Sequence, residues 1–258
     1  MRDEPEKQLY YYELGEDYFW LAGHYDVSVL EFERHLMRIG RENGLGSFRV
    51  LDAGCGPGNL ISRLKSRAVV FGSDFSEAAL HFCLEKHRVP VFISNLESFS
   101  MKNNSLDSII SLEVIEHVER DRNVLKEFYR ILKPGGFCIV SVPAFQILWS
   151  THDEWFGHFR RYSRKELIEK VREAGFSVVS CNYFKCFLFF PMLVMRSVKK
   201  WFGLYHGKKD DFYTIPEWLN RLLRWMMVTE ARWKINSKLP FGTNLLCVFE
   251  KPLERKFS

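Results

Sequence analysis

The chain has 258 residues, of which 47% are hydrophobic and 27% charged, and it carries a formal net charge of +5. This composition excludes a disordered tail and fits one large domain. The sequence contains no repeat of the roughly 20–50 residues typical of solenoids. The six cysteines form no C-x-x-C pair. Their scatter disfavours a zinc ribbon or a dense disulfide scaffold and suits free thiols in a reducing compartment.

The first residues are acidic and polar rather than apolar, unlike a secretory signal. The longest apolar run, Phe187–Met195, is shorter than the roughly 20 residues that a membrane-spanning helix needs. We therefore expect a cytoplasmic protein.

Strands and helices alternate from Arg49 onward. Apolar runs predict seven strands, over residues 48–54, 68–74, 89–94, 105–113, 137–142, 176–184 and 244–251. One-sided apolar spacing predicts helices over residues 59–66, 78–84, 122–132 and 164–174. Ser76 and Ser163 are predicted amino-terminal caps, and Gly175 follows the last of these helices. The alternation predicts an α/β fold with a doubly wound, Rossmann-like, seven-stranded and mostly parallel sheet.

Two segments lie outside the alternation and divide the chain. Residues 1–45 contain the aromatic cluster Tyr10–Tyr12, the pair Phe19 and Trp20, and a helical pattern, which together predict an amino-terminal lid. Residues 184–243 form a predicted helical insertion before the last strand. The predicted core is then residues 46–183 with 244–258.

The turn after the first predicted strand is rich in glycine and follows the pattern D-x-G-x-G-x-G. Such a turn lies where a doubly wound sheet binds its nucleotide. A dinucleotide-binding turn would carry a third glycine at position 59, which is Asn59, so an NAD-dependent oxidoreductase is disfavoured. The Asp52 carboxylate would repel a pyrophosphate but suits a ligand with ammonium and sulfonium charges. Asp74, at the end of the second strand, is placed to accept hydrogen bonds from ribose hydroxyls.

The segments VLDAGCGPG, FGSDFS, SLEVIEHV and ILKPGGFCIVSVP resemble, in order and spacing, the motifs of class I S-adenosylmethionine-dependent methyltransferases. Bacterial members of glycan, lipid and quinone pathways are the most similar. The resemblance implies S-adenosylmethionine as cofactor, with glycines beside its methionine part, Asp74 on the ribose, Phe75 and Asn95 at the adenine, and Glu113 beside the sulfonium. The implied cofactor-binding residues are Asp52, Gly54, Cys55, Gly56, Gly58, Asp74, Phe75, Asn95, Leu96, Leu112 and Glu113.

The segment after the fourth strand contains E-x-x-E-H, formed by Glu113, Glu116 and His117. On a helical turn these three side chains share a face and offer a site for a divalent cation. The pattern resembles metal-using methyltransferases of the ubiquinone pathway and of small RNAs. The alternative is a hydrogen-bonded helix start in which His117 faces the acceptor as a catalytic residue.

A polar loop follows the fifth strand, at the edge of the sheet where active-site loops gather. It offers His152 and His158 as general bases, and Arg160 or Arg161 to bind a carboxylate or phosphate. The alternative is that Arg161 and Tyr162 only anchor the loop.

The predicted insertion has 11 Lys and Arg against 4 Asp and Glu, and it is rich in aromatic residues. Trp218, Leu222 and Trp225 share a helical stripe, as in helices that lie at a membrane surface. A helical lid packed on the sheet is the alternative. No module for nucleic acid is present, so no nucleic-acid partner is expected.

Together these features predict methyl transfer to a small-molecule acceptor, through an oxygen of a sugar or phenol, with a lipid tail as one option. Transfer to carbon and a non-catalytic binding module at a membrane surface remain alternatives. The predicted location is the cytoplasm, with the inner membrane face as one option.

Overall fold

The computed structural model describes residues 17–40, 47–202, 215–233 and 240–253. The cluster Tyr10–Tyr12 and parts of the predicted lid, insertion and carboxyl-terminal segment lie outside the described residues. The strands are β1 (Arg49–Ala53), β2 (Val69–Asp74), β3 (Val91–Ile93), β4 (Leu106–Leu112), β5 (Leu132–Pro143), β6 (Ser177–Phe184) and β7 (Asn244–Glu250). The α-helices are α1 (Phe19–Arg38), α2 (Asn59–Leu64), α3 (Glu77–His87), α4 (Asp121–Ile131), α5 (Thr151–Phe156), α6 (Arg164–Glu173), α7 (Phe189–Trp201) and α8 (Glu217–Trp233).

All seven strands form one sheet in the order β3-β2-β1-β4-β5-β7-β6. Only β7, among the described strands, runs antiparallel to its neighbours β5 and β6. This confirms the predicted doubly wound, mostly parallel sheet. The segment Lys133–Gly136 lies inside β5, although the sequence indicated that it would separate helix from strand. A Cβ on Gly136 would lie 2.9 Å from the Asp107 carbonyl oxygen, so a glycine is needed where β4 and β5 approach.

Helices cover both faces of the sheet and bury an apolar core on each. On one face α4 and α6 bury Leu125, Phe128 and Leu167 against the strands. On the other face α1, α2 and α3 bury Phe32, Leu60 and other apolar side chains. The predicted caps are confirmed: the Ser76 hydroxyl accepts from the Ala79 amide at 3.3 Å, and that of Ser163 from the Glu166 amide at 3.2 Å.

Helix α8 of the predicted insertion packs directly on α1. Gly23 allows this contact, because a Cβ there would lie 2.8 Å from the Met227 side chain. The buried Asn220 side chain joins the helices, since its Oδ1 accepts from the Phe19 amide at 2.7 Å and its Nδ2 donates to the Asp17 carbonyl at 2.9 Å. One described helix from each of the two segments that the sequence set apart from the core therefore packs against the other.

The expectation of scattered free thiols is wrong for one pair. Cys181 and Cys247 are direct partners in the β6–β7 register, with Cα atoms 4.0 Å apart, and form a disulfide. Strand pairing brings them together across a sequence separation of 66 residues, which cysteine spacing alone does not reveal.

None of the described helices combines the length and the apolar composition needed to traverse a bilayer.

Removal of the Asn220 side chain tests the docking of α8. Asn220→Ala leaves the first amide of α1 without its acceptor, so we expect the free energy of unfolding to fall by about 1–2 kcal/mol in urea denaturation. The control is Arg221→Ala, which removes only an exposed ion pair with Glu217 and should change stability by less than about 0.5 kcal/mol. Equal stabilities of the two variants would contradict this role of Asn220.

Candidate active site

The candidate site lies where β1 and β4 end side by side. The chain leaves β1 toward β2 on one side, while β4 lies on the other, which is the switch point where doubly wound sheets bind ligands. Gly54 and Gly58 have φ angles of +85° and +84°. A Cβ on Gly54 would lie 2.3 Å from Val114 Cγ2, whereas one on Gly56 would meet no atom of the described residues within 4 Å. The turn is thus packed against the end of β4 at Gly54 and open at Gly56.

Two carboxylates flank this turn. The Asp74 carboxylate accepts hydrogen bonds from the Gly56 amide at 2.9 Å and the Ser76 amide at 3.0 Å, so it fixes the open part of the turn. Asp52 is buried, and its Oδ2 accepts no hydrogen bond from the described residues. Burial, with contributions from Cys83 and Asp74, raises the pKa of Asp52 well above its usual value. An isolated buried acceptor of this kind suits a cationic donor.

The other residues implied at the cofactor have three different environments. Phe75 is 44% exposed beside Asp74, and Asn95 lies exposed with its Oδ1 accepting from the Glu97 amide at 3.0 Å. Leu96 and Leu112 pack partly buried against the two cores. Cys55 differs, because its side chain is buried beside Cys83, and its thiol donates to the Gly56 carbonyl at 3.6 Å.

Helix α1 contributes Tyr25, which the sequence analysis did not identify. Its side chain contacts Asn59 and lies near Asp52, and its ring stacks under the Arg63 guanidinium at 5.2 Å. Burial, with the nearby Asp52, raises the pKa of Tyr25 to about 12. The amino-terminal helix therefore reaches the glycine turn.

Strained backbone gathers at the same edge of the sheet. Glu113, Phe145 and Lys185, which follow β4, β5 and β6, have φ angles of +57°, +58° and +58°. A left-handed conformation at a residue other than glycine costs on the order of 1–2 kcal/mol. Such strain concentrates at functional sites, where it aims particular side chains.

The Glu113 carboxylate is held by two strands. Its Oε1 accepts from the Ser141 hydroxyl of β5 at 2.7 Å, and its Oε2 accepts from Asn244 Nδ2 of β7 at 2.7 Å. The side chain is 28% exposed and lies 3.8 Å from His24 Nε2 of α1. Glu113 is therefore turned toward β5 and β7.

A different set of side chains forms a candidate cation site. Potential ligand atoms of Glu116, His117 and His158 lie within 4.8 Å of one another. The third potential ligand is therefore His158, whereas the sequence predicted Glu113. Glu116 is fully buried, and neither of its carboxylate oxygens accepts a hydrogen bond from another described residue. Burial, with the neighbouring Glu113, raises the pKa of Glu116 well above its usual value.

Asp153 organises the loop after β5. Its Oδ1 lies 2.8 Å from His158 Nδ1 and accepts from Arg161 Nε at 2.8 Å. Burial opposes ionisation here, but His158, Arg161 and Arg196 hold the pKa of Asp153 well below its usual value. Arg161 also donates to the Ala144 carbonyl at 3.2 Å, so it anchors the loop, as the alternative interpretation proposed.

The remaining loop residues either anchor the loop or lie near His158. The Arg160 guanidinium and the Tyr162 hydroxyl both contact Asp121 Oδ2 at 2.8 Å, so both fasten the loop to α4. The His152 ring lies against Phe156, 4.5 Å between centroids, and 6.2 Å from His158. His158 is the better oriented of the two predicted bases, because Asp153 fixes its Nδ1.

The sequence analysis missed His24, Ser141, Lys185 and Asn244 as members of this edge. Only Lys185 carried a local signal, a charged residue directly after an apolar strand. The other three are unremarkable in sequence and meet only through the fold.

Comparisons with known proteins agree with this geometry. Residues 51–140 match a family described as a methyltransferase domain. A protein of Mycolicibacterium smegmatis, named as a probable S-adenosylmethionine-dependent methyltransferase, is 31% identical over 172 residues, which are 64% of this chain and 62% of the relative. The ubiquinone biosynthesis O-methyltransferase of Ruegeria pomeroyi is 32% identical over 118 residues, 43% of this chain and 46% of the relative. The chain thus spans less than two thirds of the length of these relatives.

Among solved structures, a SAM-dependent methyltransferase from Archaeoglobus fulgidus has the same fold. Its TM-score is 0.55 at 20% identity, and the match covers 94% of this chain and all of that one. The sheet order, the glycine turn at the switch point and these relatives lead to one assignment. Residues 51–140 form a methyltransferase domain, and the described chain has the fold of class I S-adenosylmethionine-dependent methyltransferases.

Proposed function

We propose that this protein transfers the methyl group of S-adenosylmethionine to an oxygen of a small-molecule acceptor. The observation that carries the proposal is the open glycine turn between the carboxylates Asp52 and Asp74. The cofactor brings an ammonium group and a sulfonium to this edge. Asp52, buried with an isolated acceptor oxygen, fits a nearby cation, and Asp74 fits ribose hydroxyls.

Binding of S-adenosylhomocysteine, measured by calorimetric titration, tests the cofactor site. Asp74→Ala removes the ribose acceptor and loosens the turn, so we expect affinity to fall by at least about tenfold. Asp107→Ala is the matched control, because the Asp107 carboxylate accepts a hydrogen bond from the Arg49 amide at the opposite edge of the sheet. This variant should have a lower free energy of unfolding and an unchanged affinity for S-adenosylhomocysteine. Absence of binding to folded wild-type protein would favour a non-catalytic binding module.

Methyl transfer to oxygen requires that the acceptor lose its proton. The oxygen lone pair forms the new bond to the methyl carbon, and the old S–C bond breaks with its electron pair remaining on sulfur. A base near the reacting oxygen then promotes the step. The Asp153–His158 pair supplies an oriented imidazole at the acceptor edge. A sugar or phenol hydroxyl is the acceptor class that this base fits, and the R. pomeroyi relative is named an O-methyltransferase. Carbon remains the alternative acceptor atom.

A divalent cation held by Glu116, His117 and His158 is a second proposal for the same edge. The buried Glu116 oxygens accept from no other described residue, which suits a cation ligand. Asp153 contacts His158 Nδ1 and leaves Nε2 as the ligand atom, an arrangement common behind metal-binding histidines. A bound cation would polarise the acceptor oxygen and ease loss of its proton.

Titration of the metal-free protein with Mn²⁺ distinguishes the two roles of His158. If the cation site exists, wild-type protein binds one Mn²⁺, and Glu116→Gln weakens binding by at least about tenfold. The exposed neighbour Glu119 provides the control, since Glu119→Gln should bind as wild type does. Failure of the wild type to bind Mn²⁺ would leave His158 as a base without a metal.

Helices α7 and α8 present large apolar side chains to solvent. On α7, Val194 is 61% and Trp201 86% exposed, and on α8, Trp218 is 67% and Trp225 63% exposed. Exposed Lys200, Arg221 and Arg232 lie on the same helices. Amphipathic helices with tryptophan and basic side chains bind anionic membrane surfaces. We therefore propose that these helices contact a membrane, where an acceptor with a lipid tail would reside.

Flotation with phosphatidylglycerol vesicles tests this contact. Combined Trp218→Ala and Trp225→Ala substitutions remove two exposed indoles. We expect the partition coefficient of the protein between vesicles and water to fall by about tenfold. Leu84→Ala, which removes an exposed apolar side chain from α3, is the control. Wild-type protein that stays with the unbound fraction would favour a plain helical lid and a water-soluble acceptor.

A further inference from the structure

A chain of polar side chains links the Glu113 carboxylate to a buried lysine. The Ser141 hydroxyl, which donates to Glu113, lies 2.7 Å from His24 Nε2, and His24 Nδ1 lies 3.2 Å from Lys185 Nζ. With Lys185 as an ammonium and His24 as its Nε2–H tautomer, every donor points from the lysine toward the carboxylate, which is the arrangement expected once the lysine holds a proton. The four residues come from α1, β5 and the ends of β4 and β6. The left-handed backbone at both Glu113 and Lys185 aims the two ends of the chain.

Lys185 has no access to solvent, and its Nζ lies 3.5 Å from the centroid of the Trp20 ring. The charged groups that act on it are the Glu113 and Glu230 carboxylates and the Arg161 guanidinium, and the imidazole of His24 is its neighbour in the chain. Burial lowers the pKa of Lys185 to about 7, although Glu113 and Glu230 favour its charged form. Burial, with Lys185 itself, lowers the pKa of His24 well below its usual value, so His24 is neutral.

The carboxylate end of this chain lies at the switch point. Glu113 precedes Val114, which contacts the glycine turn at Gly54. If the proposed function holds, the sulfonium of the cofactor lies beside this carboxylate, and the amine lies at the other end of a continuous hydrogen-bonded path. A sulfonium carries one positive charge before methyl transfer and none afterwards.

We infer that Lys185 acts as a positioning residue that takes up the proton lost by the acceptor, so that the buried chain gains a positive charge as the sulfonium loses one. This inference rests on the proposed function, with Glu113 in place of His158 as the group that first receives the acceptor's proton. Before the reaction Lys185 is a neutral amine and His24 carries its proton on Nδ1, so that the Ser141 hydroxyl donates to His24 and His24 donates to Lys185. The acceptor O–H bond breaks and its proton passes to Glu113. Each group then passes a proton to the next, from Glu113 to the Ser141 oxygen, from Ser141 to His24 Nε2 and from His24 Nδ1 to Lys185, which leaves an ammonium and the Nε2–H tautomer of His24. The S–C electron pair stays on sulfur, so the total charge of the site does not change.

The protonation of Lys185 also affects the binding of the cofactor and its product. A neutral Lys185 favours the cationic S-adenosylmethionine, and a protonated Lys185 favours the neutral thioether of S-adenosylhomocysteine. As pH rises through the range in which Lys185 loses its proton, affinity for S-adenosylmethionine therefore rises relative to that for S-adenosylhomocysteine. Linkage requires the reciprocal effect, so binding of S-adenosylmethionine releases a proton from Lys185.

Calorimetric titration of the full chain with both compounds between pH 6 and 8.5 tests the inference. We expect the ratio of their dissociation constants to change by about tenfold in wild-type protein. In Lys185→Met the ratio of dissociation constants should change with pH only through titration of the two ligands themselves. Glu230→Gln removes a carboxylate that favours the ammonium but keeps an acceptor for the Cys186 amide, so it should move the transition to lower pH. The exposed Lys165 supplies the control variant Lys165→Met, which should match wild type.

If Lys185→Met binds the two compounds poorly, the stability of the ligand-free protein provides a second test. Unfolding raises the pKa of Lys185 toward its usual value, so the unfolded chain binds more protons above pH 7. The stability of wild type relative to Lys185→Met should therefore rise from pH 7 to pH 9. No such rise, or a dissociation-constant ratio with the same pH dependence in wild type and Lys185→Met, would overturn the inference alone. Failure of both compounds to bind wild type would overturn the proposed function and the inference together.

Discussion

The contact between the glycine turn after β1 and the end of β4 determines the rest of the site. A side chain at Gly54 would collide with Val114, so the two strand ends approach closely only because residue 54 is a glycine. This contact brings the carboxylates Asp52, Asp74 and Glu113 to one edge of the sheet. The opening at Gly56 leaves room for a ligand between them. The ends of β1, β2 and β4 therefore meet at a position that the backbone fixes.

The edge also holds titratable groups in surroundings that disfavour their charged forms. Asp52, Glu116 and Lys185 are all buried, and burial is the main cause of the shift of pKa in each. Burying such groups costs free energy unless charges or hydrogen bonds offset the loss of water. The two apolar cores, one on each face of the sheet, provide the stability that tolerates this cost. The site thus contains three buried groups whose neutral forms are favoured by their surroundings.

The glycine turn and the position of Asp74 could be predicted from sequence because their signals are local. The turn follows β1, and Asp74 is the last residue of β2. The acceptor half depends on contacts that periodicity cannot reveal. His24 meets Ser141 across 117 residues and Lys185 across 161, and Asn220 binds the start of α1 across 201. Arg161 illustrates the limit, because only the fold shows that Asp153 and a backbone carbonyl occupy its guanidinium.

The most direct test of the account is a crystal structure with S-adenosylhomocysteine bound. We expect the ribose hydroxyls to donate hydrogen bonds to Asp74, the methionine part to lie along the turn from Gly54 to Gly58, and the sulfur to lie beside Glu113. Such a complex would join the cofactor site to the buried chain that ends at Lys185. A ligand bound elsewhere, or bound at this edge without contact to Asp74, would contradict the account.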